Sequence, residues 1–406
     1  MAHHSPSWHA VAFVLVTVFL DMVGFGLILP VTPRLIQTVA EIDLADASLI
    51  GGWLFLAYGG MQFLFGPIMG NLSDAYGRRP LLLISVFGLG ADYLLTAFAP
   101  NVWWLFAGRL LAGLCGASYT IANAYLADIT KPEDRARVFG LVGAAFGLGF
   151  VIGPAIGGIL GELGPRVPFF VAAGVSILNF VYGYFVLPET LNPALRRPFS
   201  LARSSPMGAL KVFSSNKQVM PLLVVVAIFF FATSVYPAIW PFWGIARFGW
   251  SESTIGLTLA VFGLMAAVVQ GGLTGPAVKL FGEKRAALMG LATSVIAAIG
   301  YGLAENLNMV VILLVLHAPE GIVFPAVTAL MSKEAPADSQ GELQGGIASA
   351  QNLAMLVGTV MFAQLFGFFI SGDAPFQSPS ITFFIAAALC LLALVVMAFS
   401  RRIKVT

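Results

Sequence analysis

Gly70-Asn71-Leu72-Ser73-Asp74-Ala75-Tyr76-Gly77-Arg78-Arg79-Pro80 decides the fold, because the stretch occurs twice. It returns in weakened form as Gly275-Pro276-Ala277-Val278-Lys279-Leu280-Phe281-Gly282-Glu283-Lys284-Arg285, an offset of 205 residues (275 − 70). The same offset carries Gly140 onto Gly345 and Gly153 onto Gly358, and Pro132 falls near Pro336. Both copies are short polar turns between long apolar runs. The chain therefore reads as two homologous halves, each of about six helices. Parallel repeats of this size place a ligand site near the membrane midplane between the halves.

Composition agrees with membrane residence. Of 406 residues, 59% are hydrophobic and only 10% are charged, against about 25% charged in an ordinary soluble domain. A water-soluble enzyme is excluded. The net charge of +2, with no basic run and no zinc spacing, speaks against a nucleic-acid partner. Cys115 and Cys390 lie inside apolar runs, so neither a disulfide nor a metal site is expected. His3 and His4 are either native or a tag remnant.

A helix needs roughly 20 apolar residues to cross the hydrocarbon core. Such runs fall at 10–33, 47–70, 80–99, 102–127, 137–161 and 167–187, then at 219–243, 252–278, 285–304, 307–331, 341–370 and 379–399. The first run has neither a basic flank before it nor a small-residue cleavage site after it, and reads as a retained span. The expected fold is all-α, with twelve transmembrane helices in two pseudo-symmetric six-helix bundles, 1–187 and 219–406. They are joined by a cytoplasmic linker at 188–218. That linker holds four prolines and five basic residues, and a short surface helix near 207–217 is one reading of it.

Orientation follows from the basic residues. With both termini cytoplasmic, the inner loops and tail hold 17 of the 21 Lys and Arg, while Arg34, Arg166 and Arg247 fall outside and Arg109 lies within a span. The chain is accordingly placed in the inner membrane as a multi-pass protein.

An ionisable group at bilayer depth is costly and asks for a reason. Asp21 stands mid-span in the first helix, followed by Gly24, Gly26 and Pro30. It reads as a protonatable site, a partner for a cationic substrate, or a polar group bonded to a neighbouring helix. Asp92 lies midway along the third span. Burial and a nearby cation would pull its protonation in opposite directions, and the alternative is a fixed ion pair with Arg109. Arg109 stays charged, so it tunes an acid or holds an anion. His317 and Glu320, three apart, share one helix face on the tenth span. They read as a proton site or as a packed histidine beside a wet carboxylate. Pro319 and Pro325 interrupt the helix around them. Tyr58, Gln62, Tyr119, Asn123, Tyr236 and Gln351 combine polarity with depth and are candidates to line a substrate cavity. Trp240 and Trp243, near a span end, read first as interface anchors, with a drug pocket as the other reading. No phosphate-binding Gly-x-x-x-x-Gly-Lys-Ser/Thr stretch is present, so direct ATP use is not expected.

The motifs now in view resemble a known family. Gly70 to Pro80 looks like the signature loop of the major facilitator superfamily, and Arg109-Leu110-Leu111-Ala112-Gly113-Leu114-Cys115-Gly116 resembles its second signature. Gly149-Phe150-Val151-Ile152-Gly153-Pro154-Ala155-Ile156-Gly157-Gly158 is similar to the motif of its antiporters. Leu20 to Pro30 and Asp92-Tyr93-Leu94-Leu95 resemble the tetracycline efflux pumps of the twelve-span drug:proton antiporter family, closely over roughly residues 12–190. Those pumps carry a functional His in the eighth span and an Asp in the ninth, where this chain has Ala266 and Ser294.

The resemblance implies proton-coupled export of an amphipathic drug-like molecule by alternating access, by a monomer that is not an enzyme. It implies no cofactor beyond the coupling proton, and only the substrate and the bilayer as partners. Proton coupling would fall to Asp21, Asp92 and Arg109, with His317 and Glu320 standing in for the missing pair. Gly70, Asp74, Gly77, Arg78, Arg79 and Asp128 would form a conformational latch, Asp74 meeting a helix amino terminus and Arg78 meeting Asp128. The glycines 143, 147, 149, 153 and 157 of the fifth span would form a close-packed seam. Symport or uniport of a small metabolite stays open at this point; a receptor or intramembrane enzyme fits the duplicated halves poorly.

Overall fold

The computed structural model describes residues 8–116, 118–131, 133–200, 219–336 and 339–400. These residues are almost wholly helical, with no strand among them. Twelve helices are long and apolar enough to cross a membrane: Ala10–Ile28, Leu44–Tyr76, Arg78–Ala97, Val102–Ile129, Arg137–Gly161, Val167–Val186, Val219–Phe248, Glu252–Phe281, Glu283–Leu303, Leu307–Glu334, Gln340–Ile370 and Ile381–Phe399. They are numbered here as spans one to twelve. The reading of the linker as a surface helix near 207–217 falls outside the described residues.

Helix is the outcome that hydrocarbon permits, since each backbone amide must find its partner within the segment. Side-chain distribution follows the same logic. Phe399, Phe185, Leu280 and Leu178 are among many large apolar residues that stand well exposed, as a lipid-facing surface requires. Serine and threonine go inward: Thr17, Ser85, Ser294, Thr359 and Thr382 are almost fully buried. The Ser294 hydroxyl donates to the carbonyl of Gly290, one turn back in its own helix, at 3.0 Å.

Several boundaries depart from the apolar runs. Span one stops at Ile28 instead of continuing to 33, and a separate short helix, Thr32–Ala40, begins with Pro33 in its first turn. Pro30 brings no amide hydrogen to the ladder, so the helix ends just before it. Span two extends through Ser73 and Asp74 to Tyr76. It ends at Gly77, whose φ of 111° is left-handed and suits glycine.

The chain packs as two compact units. The described residues of Met1–Asp43, Ala57–Ser205 and Trp250–Gly263 form the first; those of Leu44–Leu56, Pro206–Gly249 and Leu264–Thr406 form the second. In the first unit, the opening turn of span eight rests on the end of span five. There the Glu252 carboxylate accepts from Arg34 at 2.9 Å, and Glu162 accepts from the Ser253 amide at 3.3 Å. Hydrogen bonds from the Ser251 hydroxyl and then from Ser253 hold the exposed Glu162 carboxyl below the usual carboxylate range. In the second unit, the opening turns of span two lie against span eleven. Gln364 donates to the Leu49 carbonyl at 3.0 Å, and the Ser48 hydroxyl reaches the Ala363 carbonyl at 3.4 Å.

The small-residue seam of span five is narrower than its sequence spacing suggests. Gly149, Gly153 and Gly157 face span one, whereas a β-carbon at Gly143 or Gly147 would meet nothing within 4 Å. Each four-residue step overshoots a full turn by about 40°, so 143 and 147 lie about a quarter to a third of a turn round from the middle of the other three. At the crossing, a β-carbon on Gly153 would sit 2.8 Å from the Val23 carbonyl and 2.9 Å from the Gly26 Cα. Backbone cannot give way as a side chain can. Gly153→Ala should therefore lower stability by about 1–3 kcal/mol through overpacking. Gly147→Ala should stay within roughly 0.5 kcal/mol. Thermal unfolding midpoints of the detergent-solubilised protein compare the two.

Candidate functional site

Span three carries Asp92 inward and span four carries Arg109 towards it. The Arg109 Nη2 donates to Asp92 Oδ2 at 2.6 Å, and the Thr96 hydroxyl donates to Oδ1 at 3.3 Å. The Asp92 side chain is 0% exposed and that of Arg109 16%. Of the two readings of Asp92, the ion pair is what the geometry contains. Gly108 keeps the site open to the carboxylate, for a β-carbon there would lie 2.6 Å from Asp92 Oδ1.

Asp21 of span one shares a cavity of about 190 Å³ with this pair, lined also by Phe25, Tyr58, Gln62, Tyr93 and Ser118. Asp21 and Ser118 line this cavity together, and Asp21 forms no ion pair among the described residues. With both acids ionised, the three charged groups sum to minus one, so the cavity favours a cation or a proton at Asp21. The ring of Tyr58 stacks on Phe25, with centroids 6.4 Å apart.

Span four passes this cavity at Gly116, a turn residue just after the helical stretch Val102–Cys115. Gln62 Nε2 donates to the Gly116 carbonyl at 3.0 Å. Tyr58 and Gln62 line this cavity. Asn123 is half-buried but does not line this cavity. The side chain of Tyr119 lies outside the described set. Gln351 and Tyr236 belong to the second unit, both half-buried.

Trp240 and Trp243 are not interface anchors. They are 4% and 0% exposed and pack with Tyr301 and Phe383, while the Trp243 indole donates to the Ser380 hydroxyl at 3.2 Å. Sequence position near a span end could not distinguish this inward face from an outward one. In the same unit, His317 Nε2 lies 2.5 Å from Glu320 Oε2. The helix-face spacing thus does bring that pair together.

The turn after span two is held by a network centred on Arg78. Its guanidinium pairs with Asp74, meets Asp128 at 3.2 Å and donates to the Ser73 hydroxyl at 2.7 Å. The expectation that Asp74 meets a helix amino terminus is corrected here. That role belongs to Glu189, just past span six, whose carboxylate accepts from the amides of Arg78 at 3.0 Å and Arg79 at 3.3 Å. A carboxylate is favoured at the positive end of the helix dipole, and Asp74 is already committed to the Arg78 side chain. Glu189 also accepts from the amides of Thr190 and Leu191, at 2.9 and 3.0 Å. A β-carbon at Gly77 would collide with that carboxylate, so glycine there serves both the left-handed turn and the cap. The sequence signal for Glu189 was faint: a lone acid after Pro188, 111 residues from Arg78.

Two expectations follow. Asp92→Asn leaves Arg109 without its counter-charge and should cost up to roughly 3–5 kcal/mol, and adding Arg109→Gln should recover much of that stability but not transport. Glu189→Ala should cost about 0.5–2 kcal/mol, as loss of a cap does, with Glu189→Gln retaining part of it. Unfolding midpoints measured alongside substrate flux test both.

The chain is similar to known proteins along most of its length. It is 40% identical over 358 residues to the tetracycline resistance protein, class C, of Escherichia coli, covering 88% of this chain and 90% of that one. It is 36% identical over 356 residues to the class B protein of Escherichia coli, covering 87% of each. The similarity therefore runs well beyond residues 12–190. Among solved structures, the human organic anion transporter MFSD10 superposes with a TM-score of 0.71 at 23% identity, over 97% of this chain and 100% of that one. The nucleoside transporter NupG superposes at 0.78 with 13% identity, again over 97% and 100%; at these identities both show the fold alone. The model for the Major Facilitator Superfamily matches residues 14–359 and 238–405, and the chain is a transporter belonging to that family.

Proposed function

We propose that the chain exports an amphipathic, drug-like small molecule across the inner membrane in exchange for protons, by alternating access. The observation that carries this reading is the cavity in which Asp21 faces the Asp92–Arg109 pair. A permanently charged guanidinium bound to a carboxylate can be released from it only when that carboxylate is protonated or another charge arrives. Proton arrival and substrate arrival are thereby made to compete. The similarity to tetracycline resistance proteins supports outward transport of a drug and makes tetracycline the first compound to test. Ala266 and Ser294, where the pumps of the resemblance carry His and Asp, are the reason for testing others beside it.

The distribution of Lys and Arg supports cytoplasmic termini and a cytoplasmic Arg78 network. In that position the network is a latch. It ties the end of span two to span four through Asp128, and the start of span three to the segment after span six through Glu189. The reading needs no cofactor besides the proton and no partner besides substrate and lipid, and takes the working unit as a monomer.

The test uses purified protein in proteoliposomes with an imposed pH gradient. Tetracycline, lipophilic cations and neutral drugs are added in turn, and proton movement is recorded with substrate flux. Substrate-induced proton release in the opposite direction to substrate is expected, abolished by Asp21→Asn or Asp92→Asn. Proton and substrate moving together would replace antiport with symport. Flux with no proton movement would leave a uniporter and reduce the buried acids to binding or packing roles.

A further inference from the structure

Spans eight and ten lose α-helical geometry at the same place in the second unit. Span eight passes through a π-helical turn at Val269–Leu273, which contains Gly271 and Gly272. Span ten passes through a 3-10 turn at Ala318–Ile322, which contains Pro319. The turns pack on each other: a β-carbon on Gly321 would lie 3.4 Å from Val269 Cγ1 and 3.7 Å from Gln270 Cγ. Departures of this kind within a helix are often found at functional sites. In membrane carriers, broken helices are where ions are bound.

His317 and Glu320 stand at this break, and their surroundings suit a change of charge. His317 is 1% exposed, whereas the Glu320 side chain is 14% exposed. Nε2 meets Glu320 Oε2 at 2.5 Å, and Nδ1 meets the Tyr301 hydroxyl at 3.4 Å. A hydroxyl can donate or accept. When the imidazole is neutral with its hydrogen on Nε2, Tyr301 donates to Nδ1. When a proton is added at Nδ1, Tyr301 accepts from it and Nε2 still donates to the carboxylate. Neither state strands a ring nitrogen, which in a buried site would be costly. The Tyr236 ring lies 4.8 Å from the imidazole. The titratable groups facing the pair from packed elements are Tyr236 of span seven, Tyr301 of span nine and Cys390 of span twelve. None of these is a cation, and no Lys or Arg pairs with Glu320 among the described residues. The added charge is therefore balanced by Glu320.

We propose that His317 and Glu320, with Tyr301, form a proton-binding site of the second unit, separate from the Asp21 cavity of the first. Its use in transport rests on the proton-coupled reading above; its existence as a proton site does not.

Histidine-selective 15N NMR of the full-length protein in detergent tests the site without substrate. The His317 resonance is assigned by its disappearance in His317→Gln. Its shift should change with pH as Nδ1 takes up a proton, and Glu320→Gln should displace that midpoint to lower pH through loss of the facing carboxylate. Tyr301→Phe keeps the ring and deletes only the hydroxyl, and should displace the midpoint as well; it serves where Glu320→Gln does not fold. A His317 resonance that does not change with pH while the protein stays folded, or a midpoint unmoved by the variants that fold, would overturn the proposal. In proteoliposomes, His317→Gln and Glu320→Gln should then release fewer protons per substrate than wild type. An unchanged proton count would remove the site from coupling. Wild-type flux without any proton movement, with His317 still titrating, would instead overturn antiport and leave the proton site standing.

Discussion

Hydrocarbon offers no water to an unpaired amide or carbonyl, and the rest of this structure depends on that constraint. It makes every crossing segment a helix, and it makes every interruption of a helix expensive unless another group steps in. Several groups step in here. Gln62 donates to the Gly116 carbonyl at the turn in span four. The Thr274 amide and hydroxyl both donate to the Val269 carbonyl across the π turn of span eight, the hydroxyl at 2.9 Å. Glu189 takes the amides at the start of span three.

These interruptions fall beside the ionisable groups. The Gly116 turn of span four lines the cavity of Asp21, Asp92 and Arg109, and the paired irregular turns of spans eight and ten adjoin His317 and Glu320. Both follow from one economy of charge. A buried ion is tolerated when it is paired and hydrogen-bonded, and irregular backbone is tolerated where it lines such a site. Asp92 meets both conditions, with Arg109 on one oxygen and Thr96 on the other. Asp21, with no cation paired to it among the described residues, is the acid of the cavity left open to an arriving charge.

Much of the architecture was legible in the residues. Twelve apolar runs became twelve helices, and the repeated turn at 70–80 marked the boundary between two of them. His317 and Glu320 were legible as a pair because three residues along a helix is a local distance. The seam of span five was only partly legible: spacing by four drew in Gly143 and Gly147, which face nothing. Trp240 and Trp243 misled for a related reason. Proximity to a span end says how deep a residue sits, but not which way it turns.

What the sequence by itself determined is the set of spans, the places where Gly and Pro break them, and the short list of ionisable residues deep within them. All of these depend on hydrophobicity and backbone chemistry along one segment. The tertiary structure alone decided which of those residues meet. It joined Glu189 to a helix start 111 positions away, put Asp21 in one cavity with Asp92 and Arg109, and set Tyr301 beside His317. Periodicity describes one helix at a time, whereas a site is made where helices cross. The crossing is set by close packing along entire helices, such as the backbone contact of Gly153 with span one, and no single motif records it.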